Sequence, residues 1–352
     1  MERLVIVSIG GSGSLTTSKA QIVYKLPFPL SFHQFRMTGS SRLESSYPLK
    51  TAFLLQVLPK LHSVVKTENL DIMHVIDNYG PIQATLQSVP LRKSASLLSF
   101  KPKDPLYRAF LSMSLSPFDM IAAGSQAVKG NLMQMGFQDS EIEVIPFGVD
   151  LQSLNKITGH DVRRELGLPR NTNLIVWSGY GYWQRETDYD YAVTLARSLL
   201  KQIPNVAFLF LFKPSHFQSK YLNDDDHHGL RVLPTSSNTA FLNAASQATA
   251  FLSPVANVHL TLAPPLTWLE CMALGVPVIT TRFFGCNELI KDGVNGILFS
   301  DAKELEMKIR RLCENDSLKE ELSRNARELV RQEYSSDRVA SRYIEMWKKM
   351  LA

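Results

Sequence analysis

Short apolar runs rich in β-branched residues recur along this chain, each followed by a longer stretch of helical period. That alternation constrains the fold most, because strands separated by helices pair in parallel and take the helices onto the sheet faces. In the first half the predicted strands are Leu4–Ile9, Ile72–Ile76, Ala95–Ser99, Met120–Ala123 and Glu143–Ile145. Helical stretches such as Leu49–Lys66 and Ser125–Met135 lie between them, the second opening on an N-cap serine and closing at Gly136. A second set follows at Leu174–Ser178, Val206–Phe212, Leu230–Val232, Ala250–Leu252, Val276–Thr281 and Ile297–Phe299. The polar segment Phe147–His160 separates the sets, so two α/β units joined near residue 155 are expected. A length of 352 residues suits two buried cores.

The C-terminal region reads as helical. Leu305, Ile309, Leu312 and Cys313 form one apolar stripe, and Ser317 with Glu320 reads as a capping box for the next helix. A last helix from about Ser336 carries Val339, Tyr343, Met346, Trp347 and Met350, a stripe expected to be core.

Several classes are excluded. The longest fully apolar run, Val206–Phe212, is too short to span a bilayer, which needs about 20 residues. The apolar Leu4–Ile9 run is shorter than a signal-peptide core and reads as a strand. Cys271, Cys286 and Cys313 lack metal-type spacing, and a reducing cytoplasm fits them. The run Asp224-Asp225-Asp226-His227-His228 invites a metal reading, but adjacent residues do not converge on one ion, and a solvated loop is favoured.

Charge is unevenly distributed. Residues 1–118 hold 13 Lys and Arg against 6 Asp and Glu, the remainder 25 against 27, so the net +5 arises in the first third. The asymmetry suits an anionic partner, either a phosphorylated substrate or an acidic membrane surface met peripherally by residues 1–118; a merely soluble basic face fits equally. Nucleic acid is not an expected partner, since no basic block with interleaved aromatics occurs.

In doubly wound sheets ligands bind beyond the carboxyl ends of the strands. The first such loop, Gly10-Gly11-Ser12-Gly13-Ser14, would let backbone approach a phosphate or sugar, although a flexible turn explains it too. His74 and Asp77, after another strand, could touch an acceptor, or His74 could be a satisfied structural residue. Glu270 is an ionisable group in apolar company near a strand end. A carboxylate there needs partners, and a ribose diol or a structural salt bridge would serve equally.

The stretch Leu262–Gly296 resembles the signature of glycosyltransferase family 4, nucleotide-sugar-dependent retaining enzymes of the GT-B fold. The residues carrying the likeness are Glu270-Cys271-Met272-Ala273-Leu274-Gly275-Val276-Pro277-Val278, Gly285-Cys286-Asn287-Glu288 and Asp292-Gly293-Val294-Asn295-Gly296. Glu143 to Asp150 resembles the family's hinge segment. The resemblance implies two Rossmann-like domains: residues 1–154 binding a glycan or lipid-linked acceptor, and 155–335 binding a UDP- or GDP-sugar. A terminal helix, 336–352, would return to the first domain.

It further implies that Glu270 holds the ribose hydroxyls and that amides from Gly285 through Cys286, Asn287 and Glu288 cradle diphosphate or sugar. Gly179 and Arg185 fall on the family's Gly-Arg-Leu-x-x-x-Lys pattern, with Arg185 at the catalytic Lys position and Tyr180 replacing the Arg. Lys213 could supply the missing charge. Such enzymes need neither metal nor cofactor, the nucleoside-diphosphate sugar being a co-substrate. Leu262 stands for the first Glu of the family pair and Phe284 for the first glycine of the turn. These departures leave a second reading, a non-catalytic homologue that binds a nucleotide or scaffolds another glycosyltransferase.

Overall fold

A computed structural model describes residues 4–10, 30–36, 59, 62–63, 65–67, 70–76, 86, 88–97, 105–157, 159–179, 186–212, 219–226, 229–235, 237–256, 264–283 and 285–352. The chain forms two compact units: Met1–Gly148 with Ser336–Ala352, and Val149–Ser335.

The first unit is built on a six-stranded parallel sheet in the order β2-β1-β3-β4-β5-β6. Its strands are β1 Leu4–Gly10, β2 Leu30–Arg36, β3 Ile72–Ile76, β4 Arg92–Leu97, β5 Met120–Ala123 and β6 Ile142–Val144. β2 escapes the sequence reading because it is an edge strand with polar His33, Gln34 and Arg36 and little β-branching. β4 begins earlier than Ala95 because Lys93 can be buried: its Nζ donates to Val89 O at 2.8 Å and Leu91 O at 2.7 Å. Of the expected Leu49–Lys66 helix, the described positions 59, 62, 63, 65 and 66 are helical. The Ser125 hydroxyl accepts from Val128 N at 3.1 Å and caps the Gln126–Met133 helix. Across this sheet the helix Ser336–Leu351 lays Val339, Tyr343, Met346, Trp347 and Met350 against Ile72, Met120, Ala122 and Ile145.

The second unit holds another six-stranded parallel sheet, β12-β11-β10-β7-β8-β9. Its strands are β7 Asn173–Gly179, β8 Val206–Phe212, β9 Leu230–Pro234, β10 Ala250–Leu252, β11 Val278–Thr281 and β12 Gly296–Phe299. β8 is buried along its whole length, as an unbroken apolar run requires in a sheet covered on both faces. Chain order runs outward from β7 in one direction and from β10 in the other, so the sheet has its topological switch point between those two strands.

β11 starts two residues later than the apolar run suggests. Val276 N donates to Cys271 O and Gly275 N to Met272 O, so Val276 closes the preceding helix in a Schellman motif. The capping-box expectation at Ser317 is also corrected. Asn315 Oδ1 accepts from Leu318 N at 2.9 Å, and the helix runs Asp316–Glu333.

Candidate functional site at the carboxyl edge of the second sheet

Past the end of β10 only Ser253 N still joins the ladder, donating to Ile279 O at 2.8 Å, and side chains hold the residues that follow. Beyond β10, Trp268 Nε1 donates to Ser253 Oγ at 2.8 Å. The Thr281 hydroxyl donates to Val255 O and accepts from Val255 N, both at 3.0 Å. Ala256 N then donates to a carboxylate oxygen of Asp188 at 2.7 Å. Asp188 lies in the first turn of the helix Glu186–Gln202 and is only 7% exposed. Three of the four residues after β10, Ser253, Val255 and Ala256, are thereby tied to the helix carrying Glu270, to the end of β11 and to the helix that follows β7.

Glu270 sits on the helix Leu266–Ala273, which starts after Pro264-Pro265, where a missing amide costs nothing. Trp268, Leu269, Cys271 and Met272 are buried, leaving Glu270 half-buried at their margin. Burial first, then the Glu270 charge, push the Cys271 thiol well above its ordinary pKa. The helix ends at Gly275, whose φ of +81° is the left-handed conformation that glycine accepts freely.

Gly285 to Glu288 do not open a helix of any length. They form a single 3-10 turn, Cys286–Glu288, entered through Gly285 at φ +91°. Two of the expected cradle amides are engaged inside the turn, Cys286 N on Phe283 O and Glu288 N on Gly285 O, each at 3.2 Å. Cys286 is buried and accepts from Phe283 N at 3.4 Å, Asn287 is exposed, and Glu288 is half-buried. The expected helix-dipole cradle is therefore corrected: too few aligned peptides follow to build one.

The Asp292–Gly296 motif also has structural work. Asn295, 3% exposed, accepts from Lys291 N and donates to Leu289 O. A Cβ on Gly296 would come within 2.7 Å of Val278 O. Asp292 accepts from Arg282, Lys308 and Leu298 N, which together outweigh its desolvation and hold its pKa below the ordinary value. Glu304 closes the same network and is lowered to about 2, foremost by Lys308 and the Ser300 amide.

Gly179 ends β7, where an added Cβ would lie 2.1 Å from the Trp177 ring. The glycine is thus explained by its neighbour's indole, which stacks on Phe210 with centroids 5.1 Å apart. Gly10 ends β1 in the first unit. Gly11, Asp77, Arg185 and Lys213, with Tyr180, Leu262 and Phe284, lie outside the described residues.

His74 is not at an acceptor-facing surface. It is 1% exposed, with Nδ1 2.8 Å from Ser94 Oγ and Nε2 2.8 Å from Ser96 Oγ. Those serines are bonded in turn to Trp347 and Tyr343 of the last helix. Of the two readings of His74, the satisfied structural histidine is the observed one, and burial lowers its pKa to about 3.

The acidic run is likewise structural. Asp224 accepts from Tyr189 and Arg197, Asp225 from Arg231 and Val232 N, and Asp226 from Gly229 N and Leu230 N. Among the described residues no cluster of metal-ligating side chains occurs. Asp188, Ser253, Trp268 and Thr281 were not singled out in the sequence. Asp188, three positions beyond Arg185, carried the one usable signal, an acid in the first turn of a helix that follows a strand.

Solved structures show the fold. Sucrose-phosphate synthase from Thermosynechococcus elongatus superposes with a TM-score of 0.76, covering 100% of this chain and 99% of its own at 14% identity. Anabaena HepE in complex with UDP gives 0.70, covering 99% and 100% at 16% identity. With its two parallel Rossmann-like units, the chain has the GT-B fold. The narrower match lies in the sequence: residues 161–329 match the family described as Glycosyl transferases group 1. N-acetyl-alpha-D-glucosaminyl L-malate synthase of Bacillus anthracis is 23% identical over 382 residues, covering 98% of this chain and 95% of that protein. The chain is an enzyme of the glycosyltransferase kind.

Proposed function

We propose that this enzyme moves a hexosyl unit from a UDP- or GDP-sugar to an acceptor hydroxyl with retention at the anomeric carbon. The observation that carries the reading is a coincidence of place. The segment matching the glycosyltransferase family is the unit whose sheet has a switch point beside β10, with Glu270 half-buried on a helix tied to that edge. Anabaena HepE, solved in complex with UDP, supports a uridine donor.

On this reading Glu270 accepts both ribose hydroxyls, and Arg185, aided by Lys213, neutralises the leaving diphosphate. The bond from anomeric carbon to diphosphate oxygen breaks, the acceptor oxygen bonds to that carbon from the same side, and its proton passes to the diphosphate. Positioning and fixed charge carry such a step. The acceptor is anionic: the first 118 residues are basic, and the Bacillus relative is named for L-malate, a hydroxy-dicarboxylate. A phosphorylated glycan or lipid-linked acceptor offers the same charge.

The test follows nucleotide release from a panel of UDP-, GDP- and ADP-sugars, with malate and phosphorylated acceptors present. One nucleoside diphosphate should be released, and Glu270→Ala should raise the donor KM about 10–100-fold, the worth of charge-assisted hydrogen bonds of ~1.5–3 kcal/mol. A thermal shift with nucleotide but no turnover would select the non-catalytic reading instead.

A further inference from the structure

Asp188, in the first turn of its helix, reaches a segment that is distant in sequence. It accepts from Ala256 N at 2.7 Å, across 68 positions in sequence, at the length of a charge-assisted bond. At 7% exposure its charge must be matched by donors, so the bond is more than a surface contact. The two segments it joins leave the sheet on either side of the switch point. One is the start of the helix Glu186–Gln202, which follows β7; the other is Ser253–Ala256, which follows β10. The β7–β10 ladder cannot set their spacing, because its pairs are Ile175 with Ala250 and Val176 with Phe251, both short of the strand ends.

We propose that Asp188 is a positioning residue of the donor site, fixing the separation between the start of the helix that follows β7 and the segment that directly follows β10. The inference rests on the reading that a nucleotide-sugar binds at this edge. Asp188 touches no reacting atom. Its effect is geometric, and displacement of a catalytic group by ~1 Å costs about 100-fold in rate.

Geometry makes Asp188→Asn and Asp188→Ala behave differently, since the asparagine carbonyl still accepts the Ala256 amide proton and alanine cannot. In Asp188→Ala, kcat should fall about 10–100-fold while the donor KM changes less than about 3-fold. Hydrogen exchange at the Ala256 amide should accelerate in the same variant. Asp188→Asn should stay within about 3-fold of wild type in kcat and keep the amide protected. A purely structural residue would lower the melting temperature of Asp188→Ala and leave kcat per folded molecule unchanged; that result overturns the inference. So does equal loss of kcat in both variants, which would mean that the charge itself is needed. Wild-type enzyme releasing no nucleotide from any donor would defeat the functional reading and this role with it. Turnover by wild type with an undiminished Asp188→Ala defeats the role alone.

Discussion

Two histidine nitrogens, two serine hydroxyls, a phenol and an indole make His74 the residue whose surroundings decide most about the first unit. Position 74 was legible as part of a strand; its company was not, because Tyr343 and Trp347 arrive from the far end of the chain. Neutral His74 can be donor to one serine and acceptor from the other, whereas the protonated ring would be a buried charge. Its folded pKa of about 3 lies below the ordinary 6.5. Below pH 6.5 the unfolded chain therefore binds a proton that the folded chain refuses. This contribution to stability is complete above pH 6.5 and drains as pH falls toward 3, with a slope of up to ~1.4 kcal/mol per unit. Urea titrations of wild type and His74→Gln across that range should show the slope in wild type and a flatter dependence in the variant. At pH 7 the variant should be less stable by about 1–3 kcal/mol, the cost of unpaired buried hydroxyls. Equal slopes would mean that another group carries the acid sensitivity.

Strands written as apolar runs were legible as elements; ends decided by side chains from elsewhere were not. Ile72–Ile76, Met120–Ala123, Val206–Phe212 and Ala250–Leu252 form over the residues their apolar runs mark out. The start of β4 was hidden by a lysine whose partners are carbonyls, and the entry to the Asp316–Glu333 helix by Asn315, which ends one helix and caps the next. The helix of Glu270 was readable at both ends, from its prolines and from Gly275. Its C-terminus is locked more firmly than sequence shows: a Cβ at 275 would meet Arg327 Nη2 at 2.0 Å, and that guanidinium donates to Leu274 O at 3.2 Å. Gly275→Ala should therefore cost about 1–2 kcal/mol through the left-handed backbone alone, read as a lower urea midpoint at unchanged m-value. Gly275→Asn, which tolerates that conformation, should lose less. If alanine proved neutral, the helix end would not depend on the φ of 275.

At the scale of the whole chain, the chemistry proposed for the second unit is argued from a local motif, while the first unit's role has to be argued from charge. Glu270 and its helix fall within 35 consecutive residues, Leu262–Gly296, that follow one pattern. The Asp188–Ala256 tie was illegible because it depends on tertiary contact between a helix start and a loop 68 positions away. The first unit offers no such stretch, only an excess of 13 basic over 6 acidic residues in its first 118 positions. If that excess serves acceptor capture, its effect is long-ranged and screened by salt, whereas the donor, held by close and partly buried contacts, is screened less. Raising ionic strength from about 0.1 M to 1 M shortens the Debye length from about 10 Å to about 3 Å. Over that range the KM for a malate-like or phosphorylated acceptor should rise roughly 3–10-fold, with a smaller change in the donor KM and in kcat. A neutral acceptor analogue should show no such rise. A salt-independent KM for the anionic acceptor would assign the basic face to solubility, and the acceptor's charge would then have to be sought in groups close to the reacting hydroxyl.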